Sequence, residues 1–480
     1  MGTLKRFFQD TIIYGFATVL PRLMNFILVG LHTATLSTSS YSDNTTFYVW
    51  AAFFNVLLTY GMETSFFRFF SNSKEKDTVF STAFIALTGS TVLFLIGVLI
   101  FQDFFIALVD LPVDYFYILF GILVMDTLVV VPFAYLRASN RPIKFAAIKI
   151  INIVIVVLLN FYFLWFVKEF PSLTPQIILD NYTNADKVKY IFIANLAASA
   201  VTFLILLPNF FRSKIDFSVL LFKQMWRYGW PVMVAGIAFV INENLDKLLL
   251  KDMLSESVMG AYAGCYKLAV FMTIFVQAFK MGAEPFFFNH AQQANAKKTY
   301  AQILTYFVIF GCLIMVSLIS FIDIFKELLI RNEDYWITIS IVPIILLANL
   351  FLGIYHNLSV WYKLTDKTRM GMYISIFGAI ITIVLNFVLI PVIGFIAAAW
   401  ATLAAYGSMM LISYFLGRRF YPVPYDLKKI GFYLLISIGI SAISFLYFRE
   451  NYLAGTAFVT LFLLIIVAVE RKDLKQILKR

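Results

Sequence analysis

Few side chains in this sequence could do chemistry, and all of them are set in long apolar runs. The stretches GMETSFFRFF at 61–70 and GAEPFFFNHA at 282–291 share Gly, one residue, Glu, two residues and Phe-Phe, so Glu63 matches Glu284 at an offset of 221 residues. Asn55, Thr59 and Glu63 repeat at spacing four, and Tyr262, Tyr266, Thr273, Gln277 and Glu284 form a comparable stripe. Nearer the start, Tyr14, Thr18, Arg22, Asn25 and His32 follow at i, i+4, i+8, i+11 and i+18 and line one helix face. Asp126 stands alone, NENLDK gathers Asn242, Glu243, Asn244, Asp246 and Lys247, and Lys149 and Lys267 add two cations. An ionisable group inside a bilayer costs a few kcal/mol or more, so each calls for a role. These residue types serve binding and ion carriage: a guanidinium fork holds a phosphate by two parallel hydrogen bonds and keeps its charge. A mid-span carboxylate such as Asp126 can carry a proton, or serve as a neutral contact between helices.

The elements that must position these groups are membrane helices. Of 480 residues, 61% are hydrophobic and 14% charged, against about 25% charged in a soluble domain. Apolar runs recur near the ~20 residues that a spanning helix needs, and they predict fourteen spans, from 10–31 to 452–469. The opening MGTLKRFFQD reads as the start of a retained first span and not as a cleaved signal. Of the 38 lysines and arginines, 27 fall on the side of the N terminus and 7 on the other, which predicts that both termini are cytoplasmic in a multi-pass inner (plasma) membrane protein. The charge of +11 is thereby accounted for without nucleic acid. Cys265 and Cys312 lie in apolar spans, and two thiols with three scattered histidines make no metal set. The short loops hold no acid/base cluster that an enzyme would need, and no P-loop occurs.

The matched glutamates belong to a longer repeat. YLRASNRP at 135–142 aligns with WYKLTDKT at 361–368, and VLLNFYFL at 157–164 with IVLNFVLI at 383–390, both at an offset of 226; Tyr14-Gly15 pairs more weakly with Tyr228-Gly229. A shift of six spans is even, so the halves run in the same direction, as parallel repeats. The predicted architecture is an all-α polytopic membrane protein with two parallel six-helix lobes, at 1–222 and 223–420, and a two-helix addition with a cytoplasmic tail at 421–480. The basic turn followed by LNF, the Tyr-Gly openings, GMETSFFRFF and this 6+6+2 layout resemble the multidrug/oligosaccharidyl-lipid/polysaccharide (MOP) flippase superfamily, and within it the Wzx-like polysaccharide biosynthesis flippases.

That resemblance implies alternating-access transport of a polyprenyl-diphosphate-linked oligosaccharide, a polysaccharide or O-antigen precursor, from the cytoplasmic to the outer leaflet. A cation-coupled multidrug exporter of the same fold is the alternative. No cofactor is implied beyond a coupling Na+ or H+; the partners implied are the lipid-linked glycan, membrane lipids and a glycan polymerase or glycosyltransferase. Arg22 is then the expected diphosphate contact, with an ion pair to Glu63 as its alternative, and Thr18, Asn25, Asn55, Thr59 and Gln277 complete the expected binding faces. Lys267 is either a second phosphate contact or a cation reaching outward, and Lys149 is expected to anchor at the membrane edge. Glu63 and Glu284 are expected as equivalent gate or packing positions, or as partners of Arg68 and Lys280. Asp126, or Glu243 and Asp246 with Thr382 and Asn386, would carry ion coupling. With Arg22 the single arginine expected in its cavity, the chain is less cationic there than the lipid II flippases it resembles.

Overall fold

The computed structural model describes residues 20, 21, 24, 26–139, 141–183, 186–210, 216–365 and 367–471. Thr18, Arg22 and Asn25 therefore lie outside the described residues. Eleven helices among those described are long and apolar enough to cross a membrane. The second and seventh expected spans fall outside that number because their helices carry the polar runs SYSDNTT and NENLDK. The chain divides into two compact units, Met1–Gly260 and Ala261–Arg480.

In the first unit the helices are α1 (Phe26–Thr35), α2 (Thr38–Thr59), α3 (Met62–Asn72), α4 (Lys76–Ile100), α5 (Val113–Leu128), α6 (Val130–Ala138), α7 (Pro142–Phe161), α8 (Lys187–Leu206) and α9 (Val219–Met253). The second expected span is not one helix. It breaks where Tyr60 and Gly61 take left-handed backbone, with φ of 33° and 72°, a conformation that glycine adopts without the steric cost of a Cβ. The break lets α3 press on α9: a Cβ at Gly61 would lie 2.4 Å from the Gly229 carbonyl oxygen, and the Ser65 hydroxyl donates to the Met225 carbonyl at 2.9 Å. The fourth span also divides, at Val129. Pro132 follows three residues later and has no N–H to donate to the Leu128 carbonyl. Around α3 the buried side chains Phe66, Phe70, Phe80, Leu87, Val131 and Met225 form the core at this end.

At the other end of α9, Lys251 ties several elements together. Its buried ammonium lies 2.8 Å from Asp110, 3.7 Å from Glu256 and 3.8 Å from Asp43, while Thr38 and Ser257 share a 2.7 Å hydrogen bond.

The second unit holds most of α10 (Glu256–Tyr266), then α11 (Val270–His290), α12 (Ala296–Ser320), α13 (Val342–Leu358), α14 (Val360–Leu364), α15 (Arg369–Ile393), α16 (Ile396–Phe420), α17 (Leu427–Tyr447) and α18 (Tyr452–Val469). Fully buried Ala397, Ala398, Ala399, Ala401 and Ala405 bring α16 close to its neighbours, as small residues do where helices pack within a membrane. The final pair, α17 and α18, packs on α12. Ser444 reaches Ser320 at 3.3 Å, and Lys429 and Tyr433 bind the buried Glu470 at 2.6 and 2.8 Å.

Beyond the end of α12, Asp323 pairs with Lys326 at 3.0 Å and with Arg449 from the α17–α18 turn. Burial alone would raise the Asp323 carboxyl, but Arg449 and Lys326 outweigh it and hold the group below the usual carboxylate range. A carboxylate depressed in the folded state stabilises above its unfolded value, and that contribution is lost as pH falls through the folded one. Attachment of the final helix pair should therefore be insensitive to pH from neutrality down to about 4 and weaken below it. Thermal unfolding between pH 3 and 7 tests this, and Asp323→Asn should remove the acid dependence.

The repeat is visible in backbone detail. In the turn before α7, Ser139 N–H donates to Tyr135 and Arg141 N–H to Leu136, at 2.8 and 3.0 Å; before α15, Thr365 donates to Trp361 and Lys367 to Tyr362, at 3.1 and 2.8 Å. Each bond has its counterpart 226 residues on. Asn160 and Asn386, fully buried, each donate to the carbonyl four residues back, at 2.7 Å.

Candidate functional site

The first unit holds an open-sided chamber of about 640 Å³. Six of its helices contribute to it. From α2 come Tyr48, Asn55 and Thr59; from α6, Phe133 and Arg137; from α7, Phe145, Lys149 and Asn152; from α8, Asn195, Ser199 and Thr202; Asp126 comes from α5, and Glu63 is added by α3. Spacings of three and four residues put these side chains on common faces, so polar stripes on otherwise apolar helices are turned inward together.

The lining is held by its own hydrogen bonds. Asn195 donates to the Tyr48 hydroxyl at 2.6 Å, Asn152 to the Thr202 hydroxyl at 3.0 Å, and the Thr59 hydroxyl to the Asn55 carbonyl at 2.7 Å. Asp126 faces Ser199 across the chamber and feels the charge of Lys149. The Lys149 ammonium sits 4.4 Å above the centre of the Phe133 ring, a cation–π placement. Arg137 donates from Nη1 to Glu63 Oε1 at 2.8 Å, and its guanidinium lies 4.7 Å from the Phe67 ring centre and 5.9 Å from that of Phe145. The described lining therefore carries two cations and two carboxylates.

The second unit repeats part of this. Glu284 pairs with Lys363, and Lys363 aligns with Arg137 at the offset of 226. The matched glutamates thus hold matched cations, one pair in each unit. The space beside Glu284 is only about 10 Å³, between Phe279, Lys280, His356 and Asn357, room for about one water. At the positions matching Asp126, Lys149 and Asn152 stand Leu352, Ser375 and Gly378, so the charged chamber belongs to the first half of the repeat.

Of the residues singled out from sequence, Asn55, Thr59, Glu63 and Asp126 come together in this chamber. Glu243 and Asp246 lie on α9 and do not line it; Asp246 binds its neighbour Lys247 at 3.0 Å. Gln277 is half-buried on α11, Lys267 begins a 3₁₀ turn, and Asn386 is buried on α15, all in the second unit. Three expectations are corrected. Lys149 does not point outward from the fold: it lines the chamber, two turns inside α7. The partner of Glu63 is Arg137, while Arg68 lies 4.4 Å from the Tyr228 ring centre. The partner of Glu284 is Lys363, not Lys280. Sequence reasoning missed Arg137, Asn195, Ser199 and Thr202; the i, i+4, i+7 stripe on α8 was the available signal.

The polysaccharide biosynthesis protein family model matches residues 7–289. The chain belongs to that family. The MatE model matches residues 231–388. Among solved structures, a lipid II flippase MurJ in an inward closed conformation is similar with a TM-score of 0.72 at 17% identity, covering 96% of this chain and 99% of the other. An inward-facing MATE multidrug transporter gives 0.66 at 12% identity over 86% and 96%, and a Vibrio cholerae MATE transporter 0.60 at 15% over 87% and 98%. No curated protein matches. The protein is a multi-pass membrane protein of this family with the fold of the MurJ flippase and the MATE transporters.

Proposed function

We propose that the protein carries a polyprenyl-diphosphate-linked oligosaccharide from the cytoplasmic to the outer leaflet of the inner membrane by alternating access, with both termini cytoplasmic and with six-helix lobes at 1–222 and 223–420. The observation that carries this reading is the chamber, where Arg137 and Lys149 stand beside a row of amides and hydroxyls. Cations suit a diphosphate, and Asn55, Asn152, Asn195, Ser199 and Thr202 suit the hydroxyls of a sugar. Its volume lies within the range of about 300–1,000 Å³ of small-molecule sites. That is room for a headgroup, with the prenyl chain left in lipid and no bond made or broken in the protein. Arg22, next to the chamber-lining Pro21 in sequence, is proposed to add a third cation. Asp126 is the proposed carrier of a coupling H+, and Glu243 and Asp246 on α9 are proposed for a coupling Na+. A glycan polymerase or glycosyltransferase would use the product.

The test is mass spectrometry of lipid-linked glycans in a deletion strain, with an impermeant reagent reporting the leaflet. Wild type should clear a cytoplasmic-leaflet build-up. Lys149→Met should clear it about 15-fold more slowly, the loss of one charge-assisted contact, and Lys149→Arg should restore most of the rate. Unchanged glycan lipids together with new sensitivity to cationic drugs would sink this reading in favour of multidrug export.

A further inference from the structure

A carrier whose cations hold a diphosphate firmly must also let it go, since conduction requires binding weak enough to leave. We propose that Glu63 is an exchangeable internal counter-ion: it yields Arg137 to the substrate's diphosphate on loading and reclaims it on release. This rests on the proposed function and deepens it, because it assigns release to a residue of the same chamber.

Three observations carry the inference. First, the pair is built to be broken. It is a single Nη1 to Oε1 contact, and the two side chains are 44% and 48% exposed, where an ion pair contributes only about 0–1 kcal/mol. Second, Arg137 is held in place independently of Glu63, by the rings of Phe67 and Phe145. Its bond to Glu63 engages one of the five N–H donors that a guanidinium presents, so the fork keeps its position and its donors when the carboxylate leaves. Third, Lys149 lines the same chamber. A diphosphate spans two phosphoryl groups and can engage both cations, whereas Glu63 pairs with Arg137 and not with Lys149. Once displaced, Glu63 stays beside the bound headgroup as a like charge and disfavours its retention.

The matched pair in the second unit shows which part of the arrangement is special. Glu284 and Lys363 form the same contact, yet the adjoining space of about 10 Å³ admits no headgroup. The ion pair is common to both halves of the repeat; the chamber is what makes one of them exchangeable.

The experiment uses the full-length protein in lipid nanodiscs with farnesyl diphosphate as the probe, together with the glycan-clearance assay. Glu63→Gln should bind the probe about fivefold more tightly while clearing glycan lipid more slowly, a split that a merely structural pair would not produce. Glu63→Asp, which keeps the charge but shortens its reach, should fall between Glu63→Gln and wild type, and Arg137→Gln should bind more weakly than any of them. Binding by wild type that Glu63→Gln leaves unchanged or weakens would overturn the exchange and leave the flippase reading standing. If wild type fails to bind farnesyl diphosphate at all, both fall together.

Discussion

Gly61→Ala should destabilise the first unit by about 3 kcal/mol, whereas Gly282→Ala, at the matching position of the repeat, should be neutral or slightly stabilising. Two separate costs meet at Gly61. Its φ of 72° is left-handed, which for an L side chain costs roughly 1–2 kcal/mol. The added Cβ would also stand 2.4 Å from the Gly229 carbonyl oxygen, a backbone atom with no rotamer to give way, and 3.0 Å from Val232 Cβ. Overpacking of this kind costs about 1–3 kcal/mol. Relief would require α3 to part from α9, which breaks the bond from Ser65 to the Met225 carbonyl at 2.9 Å. Gly282 lies within α11 and has nothing within 4 Å of its would-be Cβ, so alanine there gains helix propensity of about 0.5–1 kcal/mol with no clash. Thermal unfolding of both variants in the same detergent is the measurement. Equal midpoints would mean that the α3–α9 approach contributes nothing to stability.

That contrast also shows what the sequence could reveal. Hydropathy and length gave the helices, because a spanning helix has one composition wherever it occurs, and the offset of 226 foretold two turns with the same backbone hydrogen bonds. The matched decapeptides align Glu63 with Glu284, yet their glycines do different work: one takes a left-handed break against a neighbouring backbone, the other has open space. Identity of residue carries no record of φ or of what lies opposite. Partners were also hidden. Glu63 was expected beside Arg22 or Arg68, which are near in sequence or in depth, but a break at Val129 turns α6 so that Arg137 reaches it. Lys149 looked like an edge residue because depth was counted along one helix, while its surroundings depend on the facing helices α5 and α8. Asn160, which continues its stripe, leaves the chamber and binds His32 at 2.8 Å.

The same matched-position logic separates structure from transport. Arg137→Gln should lower clearance of lipid-linked glycan about 30-fold, while Lys363→Gln should leave it within about twofold of wild type, although the two cations are equivalent in the repeat and each pairs with the equivalent glutamate. Loss of a charge-assisted hydrogen bond to a charged ligand is worth about 1.5–3 kcal/mol, and in the first unit Arg137 faces a chamber of about 640 Å³ in which such a ligand fits. Glutamine is two atoms shorter and presents two donors and no charge, so the diphosphate would be left with Lys149 among the described cations of the lining. In the second unit the pair borders about 10 Å³, and its side chains are 25% and 37% exposed, so removing Lys363 leaves Glu284 partly solvated and costs little. Both variants should be present in the membrane at wild-type levels, which immunoblotting checks. Equal losses of transport would mean that the two pairs serve a shared structural purpose and that the chamber in the first unit is not where the headgroup is held. A loss confined to Arg137 would show that the pair serves transport in one half of the repeat alone, where Asp126, Lys149 and Asn152 stand at the positions of the leucine, serine and glycine of the other.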